Sequence, residues 1–202
     1  MVDPLLASIK QHKQNHKQLI TNNKLKMQTA TASVLVKPEP ISAERISFLI
    51  NEKGISPEIA AIDLEMIKMK MSLPDEGEGW TKEKCDDVEV EYKRFLHMNK
   101  KFLKSAIVPT DLIDTMWHYH ILDTRAYHKD SEKVFGGYFH HFPYFGLRGD
   151  SDKQNLISSF EKTKVIYEDE FMEKMLRSEQ TGCWHDCSGR CWHACSNEDD
   201  YK

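Results

Sequence analysis

Glycine is scarce, at nine residues in 202, which excludes a collagen-like or glycine-rich low-complexity chain. No stretch approaches the roughly 18 to 20 apolar residues of a membrane span. The first thirty residues also hold no apolar run of signal-peptide length, so the expectation is a soluble, cytoplasmic protein with no membrane partner. An excess of one charge is missing too. With 28 basic against 32 acidic residues, a net charge of −4 and a pI near 6.2, no global field recruits nucleic acid, and general nucleic-acid binding is not expected. Neither the glycine pattern of a P-loop or dinucleotide site nor a Gly-x-Ser-x-Gly nucleophile elbow occurs, which removes the usual grounds for a kinase, dehydrogenase or hydrolase. Sustained strand alternation is absent as well.

What is present is helical punctuation. The chain is 40% hydrophobic, enough for one core, yet its mean hydropathy of −0.61 predicts substantial solvent-facing or unfolded parts. Residues 1–40 carry six lysines against Asp3 and Glu39 and close on Lys37-Pro38-Glu39-Pro40, which reads as a flexible basic arm able to touch an acidic partner. A compact all-α domain of about five helices is expected over 41–178. Ser42 caps the first helix, which ends before Gly54. Ser56-Pro57 starts a second that runs to about Ser72, and its Ile and Met residues make it apolar nearly all round, as for a buried central helix. Thr81 caps a third, with Val88, Tyr92, Phe95, Leu96, Phe102 and Leu103 on its apolar positions. Thr110 caps a fourth, expected to continue to about Val134 and to stop at Gly136-Gly137. A capping box, Ser151-x-x-Gln154, opens the last, with Leu156, Phe160, Thr163, Tyr167, Phe171 and Met175 facing inward. Cys85, between Lys84 and Asp86, reads as a surface or half-buried thiol.

The chemistry concentrates in the fourth helix and the loop behind it. At 100° per residue His120 falls on the apolar stripe with Ile113, Met116, Trp117, Thr124 and Tyr127, while His118 lies about 160° away. The two histidines therefore cannot chelate one ion from a regular helix. Asp114 and His118, four residues apart, share a face, and His140 or His141 can fold back from the aromatic loop after Gly136-Gly137 to join them. The core candidates for metal are thus Asp114, His118 and His141, with His120 and His140 as alternates or supporting groups. Imidazole with carboxylate suits zinc, iron or manganese, and three protein ligands with an open position is the usual catalytic arrangement. Singly, each of these features is more often a surface hydrogen bond or a packed core histidine.

The run Pro109 to Tyr127 with its Trp117-His118-Tyr119-His120, followed by Asp130, Gly136 and His140-His141-Phe142-Pro143, resembles the signature of the glycine-rich domain-containing protein-like family. Gly79-Trp80 and Glu91 to Leu96 fit the same pattern, so the resemblance covers about residues 55–178. It implies no particular reaction. Plant members are linked to stress and development and carry glycine-rich segments that this chain lacks, so that role does not carry over.

Residues 179–202 form a Cys/Trp/His-rich tail with a duplicated Cys-Trp-His-x-Cys-Ser at 183–188 and 191–196. Cys183, His185, Cys187, Cys191, His193 and Cys195 are candidate ligands for zinc or copper(I). Gly182 and Gly189 argue against a stable isolated helix, so folding around metal is the expectation, although the C-x3-C spacing is not that of a zinc ribbon. A thiol redox segment and a peptide modified by another enzyme are the alternatives. Two functions compete overall. One is a metal-binding helical protein, with a metal-dependent reaction on an unknown substrate as its enzymatic form. The other is a noncatalytic adaptor whose arm and tail recruit a protein or peptide partner.

Overall fold

The structure, a computed structural model, describes residues 36–176. The expected arm, up to residue 35, and the expected tail ligands Cys183, His185, Cys187, Cys191, His193 and Cys195 lie outside the described residues. The fold is all-α. Seven helices follow in order among the described residues: α1 (Ala43–Asn51), α2 (Pro57–Ala60), α3 (Glu65–Ser72), α4 (Lys82–Lys101), α5 (Asp111–Leu122), α6 (Thr124–Phe135) and α7 (Asp150–Phe171), with no strand. No helix among them is long and apolar enough to cross a membrane.

Three starts are as the sequence dictates. The hydroxyls of Ser42, Thr81 and Thr110 accept from the backbone N–H groups of Arg45, Lys84 and Ile113 at 3.1, 3.2 and 3.4 Å. Each satisfies a donor that has no partner inside its helix, a contribution of about 1 kcal/mol. Pro57 opens α2, where its missing N–H costs nothing.

Two expected long helices are broken, each at an aspartate. Instead of one helix from Ser56 to Ser72, the chain turns at 61–64, and the Asp63 carboxylate accepts from the N–H of Glu65 at 3.1 Å. A short acidic side chain offers the backbone this local alternative to continued helix. The turn rotates the apolar positions, which is why the segment reads as apolar all round while Met66 is exposed. Instead of one helix from Thr110 to Val134, Asp123 ends α5 and caps α6, accepting from Ala126 N–H at 3.3 Å. Gly136 does end α6, in the left-handed conformation at φ 74°.

The buried central helix is α4, not the 57–72 segment. It packs against α2, α3 and α5, and its middle is covered on all sides. Val88, Tyr92, Phe95 and Leu96 are buried as expected, but so are Glu89, Lys93 and Arg94, whereas Leu103 is exposed. Each fully buried large apolar side chain contributes roughly 1.5–3 kcal/mol. The charges are tolerated because they are paired: Glu89 meets Lys93 at 2.8 Å, Arg45 at 3.0 Å and Lys68 at 3.1 Å. Cys85 is buried rather than at the surface. Its thiol points at the Lys68 carbonyl, and burial pushes its pKa up, so it is an unreactive core residue.

The last helix begins one residue before the expected capping box. Gly149 holds the N-cap position, and Asp152 reaches back to accept from the N–H groups of Gly146 and Arg148 at 2.6 and 3.1 Å. Leu156, Thr163 and Tyr167 face inward, with Phe160 and Phe171 half-buried. Leu156 also joins Val108, Phe142 and Phe145 in a small second core that anchors the aromatic loop following α6.

Candidate metal centre

The break at Asp123 builds the surroundings of the site. In one straight helix, residues ten apart are separated by about 15 Å along the axis. Here the indole N–H of Trp117 donates to the Tyr127 hydroxyl at 2.8 Å, and His120 Nε2 lies 3.2 Å from Asp130 Oδ2. Both contacts require α6 to fold back beside α5. The Tyr127 hydroxyl then donates to the carbonyl of Phe139, which fixes the loop two residues before His141. Phe139 stacks on Trp117 with ring centroids 5.2 Å apart and on Phe135 at 4.4 Å, while Phe142 sits in the second core. His141, held between two anchored phenylalanines, lies against the Trp117 ring at 4.4 Å.

This brings His141 to the face of α5 that carries Asp114 and His118. The Nε2 atoms of His118 and His141 are 3.2 Å apart, His141 Nε2 is 3.2 Å from Asp114 Oδ1, and His118 Nε2 is 3.8 Å from Asp114 Oδ2. All three residues offer a ligand atom within 4.8 Å of the others. In a tetrahedral zinc site with bonds of about 2.0–2.1 Å, ligand atoms stand about 3.3 Å apart, so these side chains fit an ion with small adjustment. The side chains of Asp114 and His141 are 9% and 10% exposed, that of His118 37%, which places the site at the protein surface with a solvent-facing side.

Burial lowers the His118 pKa from its ordinary value. The Asp114 carboxylate opposes this and the neighbouring His141 adds to it. His118 is therefore neutral at pH 7, the protonation state in which imidazole binds metal.

The other two histidines go elsewhere. His140 is exposed and packs on Tyr138 at 4.9 Å. His120 is buried on the opposite side of α5, with Nδ1 2.9 Å from the Tyr92 hydroxyl and Nε2 bonded to Asp130, so both nitrogens are occupied. It is a packed core residue and not part of the Asp114 cluster. Asp130 as its partner is invisible in the sequence until Asp123 is recognised as a cap. Behind the pair lies a cavity of about 10 Å³ bordered by Leu96, Val134 and Phe139, just enough for one water.

Comparison with curated proteins and with solved structures found no match. The resemblance to the glycine-rich domain-containing protein-like family does not hold, because residues 64–168 match a different, uncharacterised family. The match covers more than half of the chain, from the residue before α3 almost to the end of α7, and includes Asp114, His118 and His141: the chain belongs to the UCP032817-like family.

Proposed function

We propose that this protein binds one divalent transition metal through Asp114, His118 and His141. The observation that carries the reading is the convergence of the three residues, from one helix face and a loop 23 residues further on, with one ligand atom of each within 4.8 Å of the others and the two imidazole Nε2 atoms 3.2 Å apart. Two imidazoles and one carboxylate suit zinc, iron(II) or manganese(II). Three protein ligands leave a further position toward the solvent side, where a metal polarises a small ligand or lowers the pKa of water. An enzyme built on this site would be metal-dependent, and its substrate would enter from the side of His118.

The test is stoichiometry. Metal-stripped full-length protein and its His118→Ala/His141→Ala variant are titrated with Zn²⁺, Mn²⁺ and, anaerobically, Fe²⁺, and bound metal is counted. The variant should hold one equivalent fewer of at least one of these ions. Equal metal content in the two proteins sinks the reading. That result would favour a noncatalytic adaptor in which His141 is a packing residue, a role that its 4.4 Å contact with Trp117 already supports.

A further inference from the structure

We infer that Trp117, Tyr127 and Tyr138 form a one-electron route from the metal centre to the protein surface. Through it an iron(II)-loaded site reduces hydrogen peroxide at the expense of a small one-electron donor, such as ascorbate or a phenol, that reacts at Tyr138. The inference rests on the metal reading above and deepens it by naming the metal and the class of substrates.

Two observations carry it. The first is the donor set: two imidazoles and one carboxylate with an open side are the ligands of non-haem iron(II) centres that carry out one-electron and oxygen chemistry. Asp114, His118 and His141 supply that set, with the His118 side chain 37% exposed.

The second is a line of oxidisable rings that starts at a ligand and ends in solvent. The His141 ring lies 4.4 Å from buried Trp117, whose indole N–H donates to the Tyr127 hydroxyl at 2.8 Å. The Tyr127 ring meets Tyr138 edge-on at 5.2 Å, and Tyr138 is 43% exposed. Tryptophan and tyrosine give up an electron far more readily than phenylalanine, and Phe95 and Phe139 flank Trp117 on its other sides. Buried Tyr92 lies one ring further away, beyond Phe95 at 6.4 Å. Proton acceptors decide where the oxidising equivalent stops. The Tyr127 hydroxyl donates to the carbonyl of Phe139, which is no base, so Tyr127 passes the electron on. Tyr138 reaches solvent beside the exposed His140 ring at 4.9 Å, and there a phenolic proton can leave.

The reaction balances as a two-electron reduction. Peroxide takes two electrons as its O–O bond breaks. Iron(II) gives one and becomes iron(III), and Tyr138 gives the other through Tyr127 and Trp117. The Tyr138 O–H bond breaks, its proton goes to solvent, and a neutral phenoxyl radical remains. The two hydroxides formed from peroxide take up protons and leave as water. Two donor molecules then return one electron each, one with a proton to Tyr138 and one to iron(III).

The experiment loads metal-stripped full-length protein anaerobically with one equivalent of Fe²⁺, counts the bound iron, mixes the sample with hydrogen peroxide and freezes it rapidly for electron paramagnetic resonance. A tyrosyl radical should form, identified by the narrowing of its spectrum with ring-deuterated tyrosine, and it should disappear in Tyr138→Phe with bound iron unchanged. Peroxide turnover with ascorbate should fall about tenfold in the same variant. Tyr144→Phe, which alters another exposed tyrosine of the loop, should leave both readings unchanged. A radical of equal yield in Tyr138→Phe overturns the inference. So does one that persists in His118→Ala/His141→Ala, because iron free in solution is then the oxidant. Iron bound at the site without a tyrosyl radical, or His118-dependent binding of Zn²⁺ but not of Fe²⁺, also overturns it while the metal reading stands. If no ion binds in a His118-dependent way, the three-residue site falls and the electron route falls with it. His118→Gln, which keeps the size of a half-exposed side chain, repeats the test should the double alanine variant unfold.

Discussion

The Tyr127 hydroxyl joins Trp117 to the loop of His141: it accepts from the Trp117 indole at 2.8 Å and donates to the carbonyl of Phe139. Tyr127→Phe keeps the ring and deletes both bonds. A buried indole N–H and a buried carbonyl are then left without that partner, each costing about 1–3 kcal/mol. Urea unfolding should report a loss of about 2–4 kcal/mol. Since the loop that carries His141 is no longer pinned, metal affinity should also fall, by about the 10–100-fold typical of groups that orient a ligand. An unchanged affinity would show that Phe142 alone holds the loop.

Asp114→Asn separates metal binding from packing. The amide matches the carboxylate in shape but carries no charge and is a poor ligand for a transition metal. Its effect on metal affinity should exceed that of Tyr127→Phe, while the unfolding midpoint of the metal-free protein shifts less. Competition with a chromophoric chelator measures the first and thermal melting in excess chelator the second. Equal effects on both quantities would make Asp114 a structural residue.

Much of this was legible in the chain, for identifiable reasons. Thr110, Thr81 and Ser42 announce helix starts because a hydroxyl at the N-cap has one local partner, three residues on. Asp114 and His118 are readable as a pair because the spacing of four is a property of the helix itself. Asp123 and Asp63 were not readable as breaks, since an aspartate inside an apolar-periodic run is equally compatible with a solvent-facing helical position, and only the surrounding packing selects the cap. The choice between His140 and His141 depended on the same hidden fact: Tyr127 can fasten Phe139 only after α6 has folded back. The burial of Glu89, Lys93 and Arg94 was invisible for another reason, because charge normally marks a solvated face: the Glu89–Lys93 pair lies within α4 itself, but the further partners Arg45, Lys68 and Glu173 come from segments far apart in sequence.

Glu89 gives the fold a predictable acid response. Burial alone pushes its carboxyl pKa up, but Lys93 and Lys68, with Arg45, hold it below the ordinary value on balance. A folded-state pKa below the unfolded value of 4.5 means that its contribution is fully present above pH 4.5 and is lost as pH falls through the folded value. Glu89→Gln should cost about 3–5 kcal/mol at pH 7, because the buried Lys93 and Lys68 ammonium groups lose their counter-charge. The same substitution should flatten the decline of stability below pH 4.5. Glu91 tests the sign: burial raises its pKa on balance against bonds from Tyr167 and Leu176, so Glu91→Gln should remove a loss of stability that sets in as pH rises through and above 4.5. Urea midpoints measured from pH 3 to pH 8 on both variants check the two opposite slopes.

Gly146 closes the aromatic loop where a side chain has no room. Its φ is +87°, and a Cβ built there would stand 2.5 Å from Leu156 Cδ2. Leu156 cannot retreat freely, because it is wedged with Val108, Phe142 and Phe145 in the second core. Gly146→Ala therefore combines a left-handed backbone penalty of about 1–2 kcal/mol with overpacking of about 1–3 kcal/mol. The neighbouring Asp152 carboxylate, which accepts from the Gly146 N–H at 2.6 Å, resists relief by backbone movement. The melting temperature should drop accordingly. Since Phe142 is the residue next to His141, displacement of the second core should reach the metal ligands, and Co²⁺ affinity should fall together with stability. Gly137→Ala is the contrast, since a Cβ there meets nothing within 4 Å, and it should leave both measurements nearly unchanged.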